Sequence, residues 1–331
     1  MFTSLPYLLM FGWMMFFSVA MSVSSFHWLG MWAGAEVNLI CFIPFIIYSG
    51  LISESESAVK YFIFQAVGSA FLAFGSLLSF SLAFTWELMS WNVGVMLLML
   101  GLLTKLGAAP FHWWFPDVMS GMAWPVALIL TTWQKIIPLA LMSAIITPSL
   151  VLTVALLGSL SALVGGVGGM NQTHMKALLA YSSIGHMGWL LYSISSGFTP
   201  LVIYFISYVI LSVILFWGLW TSKNSFMSTI SGASVPAVGA ATMLCLLSMG
   251  GLPPLLGFMP KWFVFIQAQE SSIYLLMAIL ILGSLLSIFY YLALTFILFI
   301  SNIPKNFSIS SFLGVSLLVN GLGGAAMFFL F

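Results

Sequence analysis

Five ionisable residues interrupt otherwise apolar stretches of this chain: Glu36, Lys105, Lys135, His186 and Lys261. A charge in the middle of a bilayer costs roughly 2.5–3.5 kcal/mol on insertion scales, so five at similar depth call for a hydrated interior and for partners. Burial favours the neutral form of an amine, and a nearby carboxylate favours the charged form. A lysine whose carboxylate partner moves closer or farther therefore alternates between holding and releasing a proton. The row is expected to work this way: Glu36 modulates Lys105, while Lys135, His186 and Lys261 pass the proton along through water. Plainer readings stand beside this one. Long side chains can snorkel to a span end, although none of the five lies within easy reach of one. Glu36 and Lys105 could form a purely structural pair, and a lone histidine on a helix is more often a hydrogen-bonded core residue than a relay.

A second pattern involves the segments that carry two of these lysines. The stretch from Gly107 to Asp117 aligns with that from Gly251 to Lys261 at a constant offset of 144 residues. Gly107 meets Gly251, Pro110 meets Pro254, and Pro116 meets Pro260. Proline lacks a backbone donor and clashes with the preceding turn, so each stretch is expected to break its helix inside the membrane. The freed backbone groups are tolerated only where they line protein or water. Broken helices at matched positions of inverted repeats point to a transporter's ion path. His112 and Asp117, inside the first repeat, are accessory candidates. The competing explanation is that Gly and Pro are simply frequent in membrane helices.

The elements that must position these residues are membrane spans. Of 331 residues 62% are hydrophobic and 4% charged, with a mean hydropathy of +1.19. Soluble chains carry about 25% charged residues, and a chain with so few cannot build a solvated surface. The net charge of +1 gives no electrostatic case for a nucleic-acid partner. The expected class is an all-α polytopic membrane protein. Hydropathy predicts about eleven spans, near 5–24, 27–50, 58–81, 91–121, 124–146, 148–170, 174–197, 199–222, 236–270, 272–300 and 308–331. The broken spans are then the fourth and ninth. An offset of five spans reverses chain direction, so the repeats would be inverted. This gives three expected parts: a first five-helix unit (1–147), a second (148–301) and a C-terminal helix (302–331). The clearest loops are expected at Ser53–Ser57, Ser222–Ser225 and Asn302–Asn306. The opening stretch, Met1 to Ala20, is expected to be the first span and not a cleaved leader.

Orientation follows from the loop lysines. All seven cationic residues are Lys. Lys60, Lys176, Lys223 and Lys305 fall in connections on the N-terminal side of an eleven-span chain, and Glu87 and Glu270 fall on the other. The positive-inside rule then puts the N-terminus inside and the C-terminus outside.

Other chemistries find little support. Cys41 and Cys245 both lie in apolar runs and read as small core hydrophobes, which excludes a cysteine-based metal site, cluster or disulfide framework. No metal site is expected. Paired haem-ligating histidines would have to be His112 and His186, an improbable pair. No dinucleotide or phosphate-loop motif occurs. The glycine-rich run Gly165–Gly169 sits at a span end and suits close helix packing or a flexible turn. No catalytic residue in the enzymological sense is expected.

The run from Asn171 through the Ser182-Ser183-Ile184-Gly185-His186 stretch to Trp189 resembles a signature of the chain 2 family of mitochondrial NADH:ubiquinone oxidoreductase (complex I). So do the runs Trp32 to Pro44, Gly107 to Asp117 and Ser248 to Trp262. The resemblance spans nearly the whole chain. Gly185 occupies a variable place in the motif and puts no role in doubt. Members are similar to cation/proton antiporter subunits, with two inverted five-helix units, each containing a broken helix. Animal forms look like a fourteen-helix form lacking three N-terminal helices, which agrees with eleven spans.

Carried over by motif, the resemblance implies that Glu36 and Lys105 are the family's Glu–Lys pair. Lys135 would be its central lysine and Lys261 the lysine of the second broken helix. It also implies the mitochondrial inner membrane, an organelle-encoded chain, and the other membrane-arm subunits of complex I as partners. Membrane lipids, with cardiolipin a candidate, would surround it. NADH, flavin, iron–sulfur clusters and ubiquinone would belong to partner subunits, with no cofactor in this chain. Matrix and intermembrane space then become the N- and C-terminal sides.

Three functions remain at this point: a proton-translocating subunit of a respiratory enzyme, an autonomous cation/proton antiporter or other secondary transporter, and a structural membrane spacer. Co-migration with NADH-oxidising subunits separates the first two, and normal pumping by Lys105→Met would favour the third.

Overall fold

The computed structural model describes residues 5–82, 88–222, 236–268, 274–301 and 314–321. Among them no β-strand occurs, and seven helical stretches are long and apolar enough to cross a membrane. Lys223, Lys305, Glu87, Glu270 and the expected loop Asn302–Asn306 lie outside the described residues.

The chain divides into two compact units, Met1–Thr147 and Pro148–Phe331. The first holds α1 (Leu5–Ser24), α2 (Trp28–Ile46), α3 (Ile52–Leu82), α4 (Leu88–Leu106), α5 (Trp114–Gly121), α6 (Trp124–Thr131) and α7 (Ile136–Ile145). The second holds α8 (Val151–Gly169), α9 (Met175–Ser196), α10 (Phe198–Ser222), α11 (Pro236–Gly250), α12 (Phe258–Ala268) and α13 (Tyr274–Ser301), with residues 314–321 also helical.

Inside the first unit α1 packs on α2, α2 on α3, α3 on both α4 and α5, and α7 on both α1 and α4. Inside the second, α8 packs on α9, α9 on α10, α10 on both α11 and α12, and α13 on both α8 and α11. The pairings follow the same order in each unit. Polar groups are scarce, so close contact needs small residues, and glycine supplies it. A Cβ on Gly158 of α8 would stand 2.9 Å from the Gly188 carbonyl oxygen of α9, and one on Gly166 would stand 2.8 Å from the Gly283 carbonyl oxygen of α13. The glycine-rich run is therefore helical and close-packed.

One sequence expectation is corrected. Ser53–Ser57 is no loop but the opening of α3. Glu54 is 2% exposed and accepts hydrogen bonds from the Ser49 backbone N–H, at 2.9 Å, and from the Ser49 hydroxyl. A carboxylate in the first turn matches the positive end of the helix dipole. Ser55 and Ser57 fold their hydroxyls back onto the carbonyls of Ile52 and Glu54 at 2.7 and 2.8 Å, so their polarity is absorbed within the helix.

Candidate functional site

Both aligned repeats interrupt a helix. α4 stops at Leu106 and α5 starts at Trp114; α11 stops at Gly250 and α12 starts at Phe258. Each stop is a glycine cap. Gly107 (φ +67°) donates its N–H to Thr104 O at 3.3 Å, and Ala108 donates to Leu103 O at 3.2 Å. Gly251 (φ +86°) donates to Ser248 O at 3.0 Å, and Leu252 donates to Leu247 O at 3.5 Å. These are the two hydrogen bonds of a Schellman cap, whose left-handed residue is best filled by glycine. Pro110 and Pro254 lie within the breaks, whereas Pro116 and Pro260 sit in the first turns of α5 and α12, where a missing N–H has no helical partner to lose. Glycine thus ends the first half-helix, and these two prolines begin the second.

The carbonyls exposed by the breaks find donors. Trp114 Nε1 donates to Thr104 O at 3.2 Å, and Gln65 Nε2 donates to Lys105 O at 3.3 Å. In the second unit Lys261 Nζ donates to Gly250 O at 2.7 Å. A cation at the negative end of α11 gains from both the hydrogen bond and the dipole.

Lys135 stands at a third interruption, a 3-10 turn (Trp133–Lys135) between α6 and α7. Pro138 explains it. A proline ring clashes with the carbonyl four residues back, here that of Gln134, so a continuous α-helix is not available. Lys135 N–H bonds to Thr132 O at 3.3 Å instead, in the tighter i to i−3 pattern. Sequence reading missed this turn, although Pro138 was the signal.

In the first unit Lys105 and Lys135 are 8% and 2% exposed and line one cavity. Its volume is about 20 Å³, room for a water molecule. Ala35, Asn38 and Leu39 of α2 form another part of its wall. Glu36, on the same helix and half-buried, interacts electrostatically with Lys105. Lys135 Nζ lies 5.4 Å from the centre of the Phe115 ring, a cation–π contact from α5. Asn38, Tyr61, Gln65 and Gln134 also line this cavity, and sequence reading named none of them. Their signal was helical spacing: Tyr61 and Gln65 are four apart on α3, and Ala35, Asn38 and Leu39 share a face of α2.

In the second unit His186 and Lys261 line a smaller cavity of about 10 Å³ together with Ser182 and Ser287. His186 Nδ1 and the Tyr204 hydroxyl are hydrogen-bonded at 2.9 Å, and Tyr208 stacks obliquely on the imidazole at 5.1 Å.

The accessory candidates lie elsewhere. His112 is buried in the first break, its Nδ1 3.2 Å from Pro110 O and its ring stacked on Trp113. Asp117 is exposed and 3.8 Å from Lys60. The position matched to Lys261 thus carries the opposite charge and faces out.

Residues 25–287 match the model of a family described as NADH:quinone oxidoreductase/Mrp antiporter, transmembrane. The chain belongs to that family. Over 295 residues it is 38% identical to NADH-ubiquinone oxidoreductase chain 2 of Aquarana catesbeiana, covering 86% of this chain and 83% of the relative. A chain of respiratory complex I from Thermus thermophilus, solved with bound aureothin, superposes with a TM-score of 0.86 at 27% identity, over 97% of this chain and 78% of that one. A chain of the Mrp complex from Dietzia sp. shares the fold, with a TM-score of 0.78 at 18% identity, over 85% of this chain and 58% of that one. Within the family, buried lysines on interrupted helices are the feature of this chain that chemistry can use.

Proposed function

We propose that this chain is an antiporter-like membrane-arm subunit of a mitochondrial NADH:ubiquinone oxidoreductase, and that it translocates protons. The observation that carries the reading is the cavity shared by Lys105 and Lys135, with the Glu36 carboxylate acting on Lys105 from α2. Two amines that face one site with room for water can exchange a proton, and a carboxylate that changes its distance from one amine biases the exchange. Within the second unit His186 and Lys261 likewise share one cavity and can exchange a proton there. The interrupted helices supply the polar backbone such a path needs in an apolar medium.

The eleven-span arrangement belongs to this proposal. Each of the two helix–break–helix elements reads as one span, and α9 and the C-terminal segment join the seven long apolar stretches. The first unit then contributes five spans and the second five plus the C-terminal one, and the matching order of helix pairings within the units supports a repeat of five. An odd number of spans per repeat makes it inverted. The lysine distribution along the chain supports an N-terminus on the matrix side and a C-terminus on the intermembrane-space side. Other membrane-arm subunits and membrane lipids, cardiolipin among the candidates, are the proposed neighbours. NADH oxidation and quinone reduction belong to partner subunits, which supply the driving reaction and its cofactors.

Proton flux measured in closed vesicles containing the assembled enzyme tests the reading. Glu36→Gln and Lys135→Met are each expected to lower proton uptake per NADH oxidised. Normal uptake in both variants would sink the proposal.

A further inference from the structure

Asn38 is 4% exposed in the wall of the first unit's cavity. Its Nδ2 donates to Gln134 Oε1 at 2.7 Å, while no donor among the described residues reaches its Oδ1. A buried acceptor left without a hydrogen bond costs about 1–3 kcal/mol. The same cavity has room for a water and is lined by Lys105 and Lys135. A buried water needs two to four polar partners, and an unmatched carbonyl oxygen is a fitting one.

Gln134 gives the arrangement its second half. It precedes Lys135 in the 3-10 turn, so the group that holds Asn38 and the lysine that lines the cavity move with one short segment. Tyr61 supports Gln134 from α3, its hydroxyl 3.5 Å from the same Oε1.

We propose that Asn38 and Gln134 are positioning residues of the proton path. Asn38 Oδ1 orients a water between the two lysine amines, and Gln134 fixes the orientation of Asn38. The inference rests on the proton-translocating reading above. In the transfer, the charged Lys105 amine gives a proton to the water oxygen, and the water gives one of its own protons to the neutral Lys135 amine. One proton has moved, the water is regenerated, and Asn38 has neither gained nor lost a proton. Asn38 Oδ1 accepts the water's other O–H throughout, which leaves the reactive O–H aimed at Lys135. A purely structural role would instead make Asn38–Gln134 a tie between α2 and the turn, with no bearing on the proton itself.

The test uses the assembled complex in closed vesicles driven by NADH. Proton uptake, turnover and the solvent deuterium isotope effect are compared for Asn38→Leu, Gln134→Leu, Asn38→Ser and, as reference, Lys135→Met. Asn38→Leu and Gln134→Leu are expected to lower coupled turnover by roughly ten- to a hundredfold, the scale of lost positioning, and to enlarge the isotope effect. Asn38→Ser keeps an acceptor oxygen and is expected to recover part of the rate. Unchanged pumping in Asn38→Leu, beside lost pumping in Lys135→Met, overturns the positioning role alone. Normal pumping in Lys135→Met overturns the underlying reading. Lost pumping with an unchanged isotope effect and no recovery in Asn38→Ser means a structural tie and also overturns the proposal. Should Asn38→Leu not assemble, Gln134→Leu carries the test, and an unchanged isotope effect there has the same meaning.

Discussion

Lys261 donates its ammonium to the carbonyl oxygen of Gly250 at 2.7 Å, so the charged side chain of α12 closes the last turn of α11. The one residue thus joins the two halves of a broken helix and lines the cavity that His186 also lines. Structure and proton handling can be separated by substitution. Lys261→Met leaves the Gly250 carbonyl without its side-chain donor and is expected to lower the stability of the assembled complex by about 1–3 kcal/mol, besides abolishing pumping. Lys261→Arg keeps a donor that never gives up its proton. It is expected to preserve assembly and still lose pumping. Native gels after graded heating, paired with proton uptake, read the two effects. Equal pumping by Arg and Lys at this position would remove Lys261 from the path.

Gly251 is the neighbour that lets this contact form. Its φ of +86° is left-handed, and a Cβ built on it would stand 2.8 Å from Lys261 Nζ. Gly251→Ala therefore carries two costs. A non-glycine residue in the left-handed region loses roughly 1–2 kcal/mol, and the methyl displaces the ammonium from the Gly250 carbonyl. Coupled turnover is expected to fall although Lys261 is still present. Unimpaired pumping in Gly251→Ala would show that the hydrogen-bonded position of Lys261 is dispensable.

The apolar spans were legible because a bilayer leaves few other options: with no water to satisfy the backbone, about 20 apolar residues must form a helix. The two breaks were legible from Gly and Pro, but the division of labour was not. Sequence reading grouped the glycines and prolines as one helix-breaking set, while Gly107 and Gly251 form the caps and Pro116 and Pro260 sit in the first turns of the next helices. The turn at Lys135 went unseen because Pro138 acts four residues upstream of itself, on a segment with no glycine or proline of its own. Asn38 and Gln134 were passed over because neutral amides leave no mark on a charge inventory. Their pairing joins residues 96 positions apart, which only packing reveals.

Asp117 offers a control for the repeat. It occupies the position matched to Lys261, yet it is exposed and stands 3.8 Å from the half-exposed side chain of Lys60. An exposed ion pair contributes about 0–1 kcal/mol. Asp117→Asn is expected to leave assembly and proton uptake within experimental scatter of the parent. A loss of pumping comparable to that of Lys261→Met would mean that the first break carries a second proton-transfer group.

Gly165 of α8, which points at the α9 backbone, and Gly185 of α9, which points into open space, make opposite predictions. A Cβ on Gly165 would lie 2.6 Å from the Tyr181 carbonyl oxygen and closer still to the Gly185 backbone. Backbone cannot rotate away as a side chain can, so the helices would have to separate. A Cβ on Gly185 meets nothing within 4 Å. Gly165→Ala is therefore expected to reduce the amount of assembled complex severely, since overpacking of a tight contact costs about 1–3 kcal/mol and sometimes more. Gly185→Ala is expected to assemble at parental levels, helped slightly by alanine's better helix propensity. Blue native gels of both variants, normalised to an unrelated membrane complex, give the comparison. The packing argument fails if Gly185→Ala assembles less well than Gly165→Ala, because one contact geometry then cannot account for both.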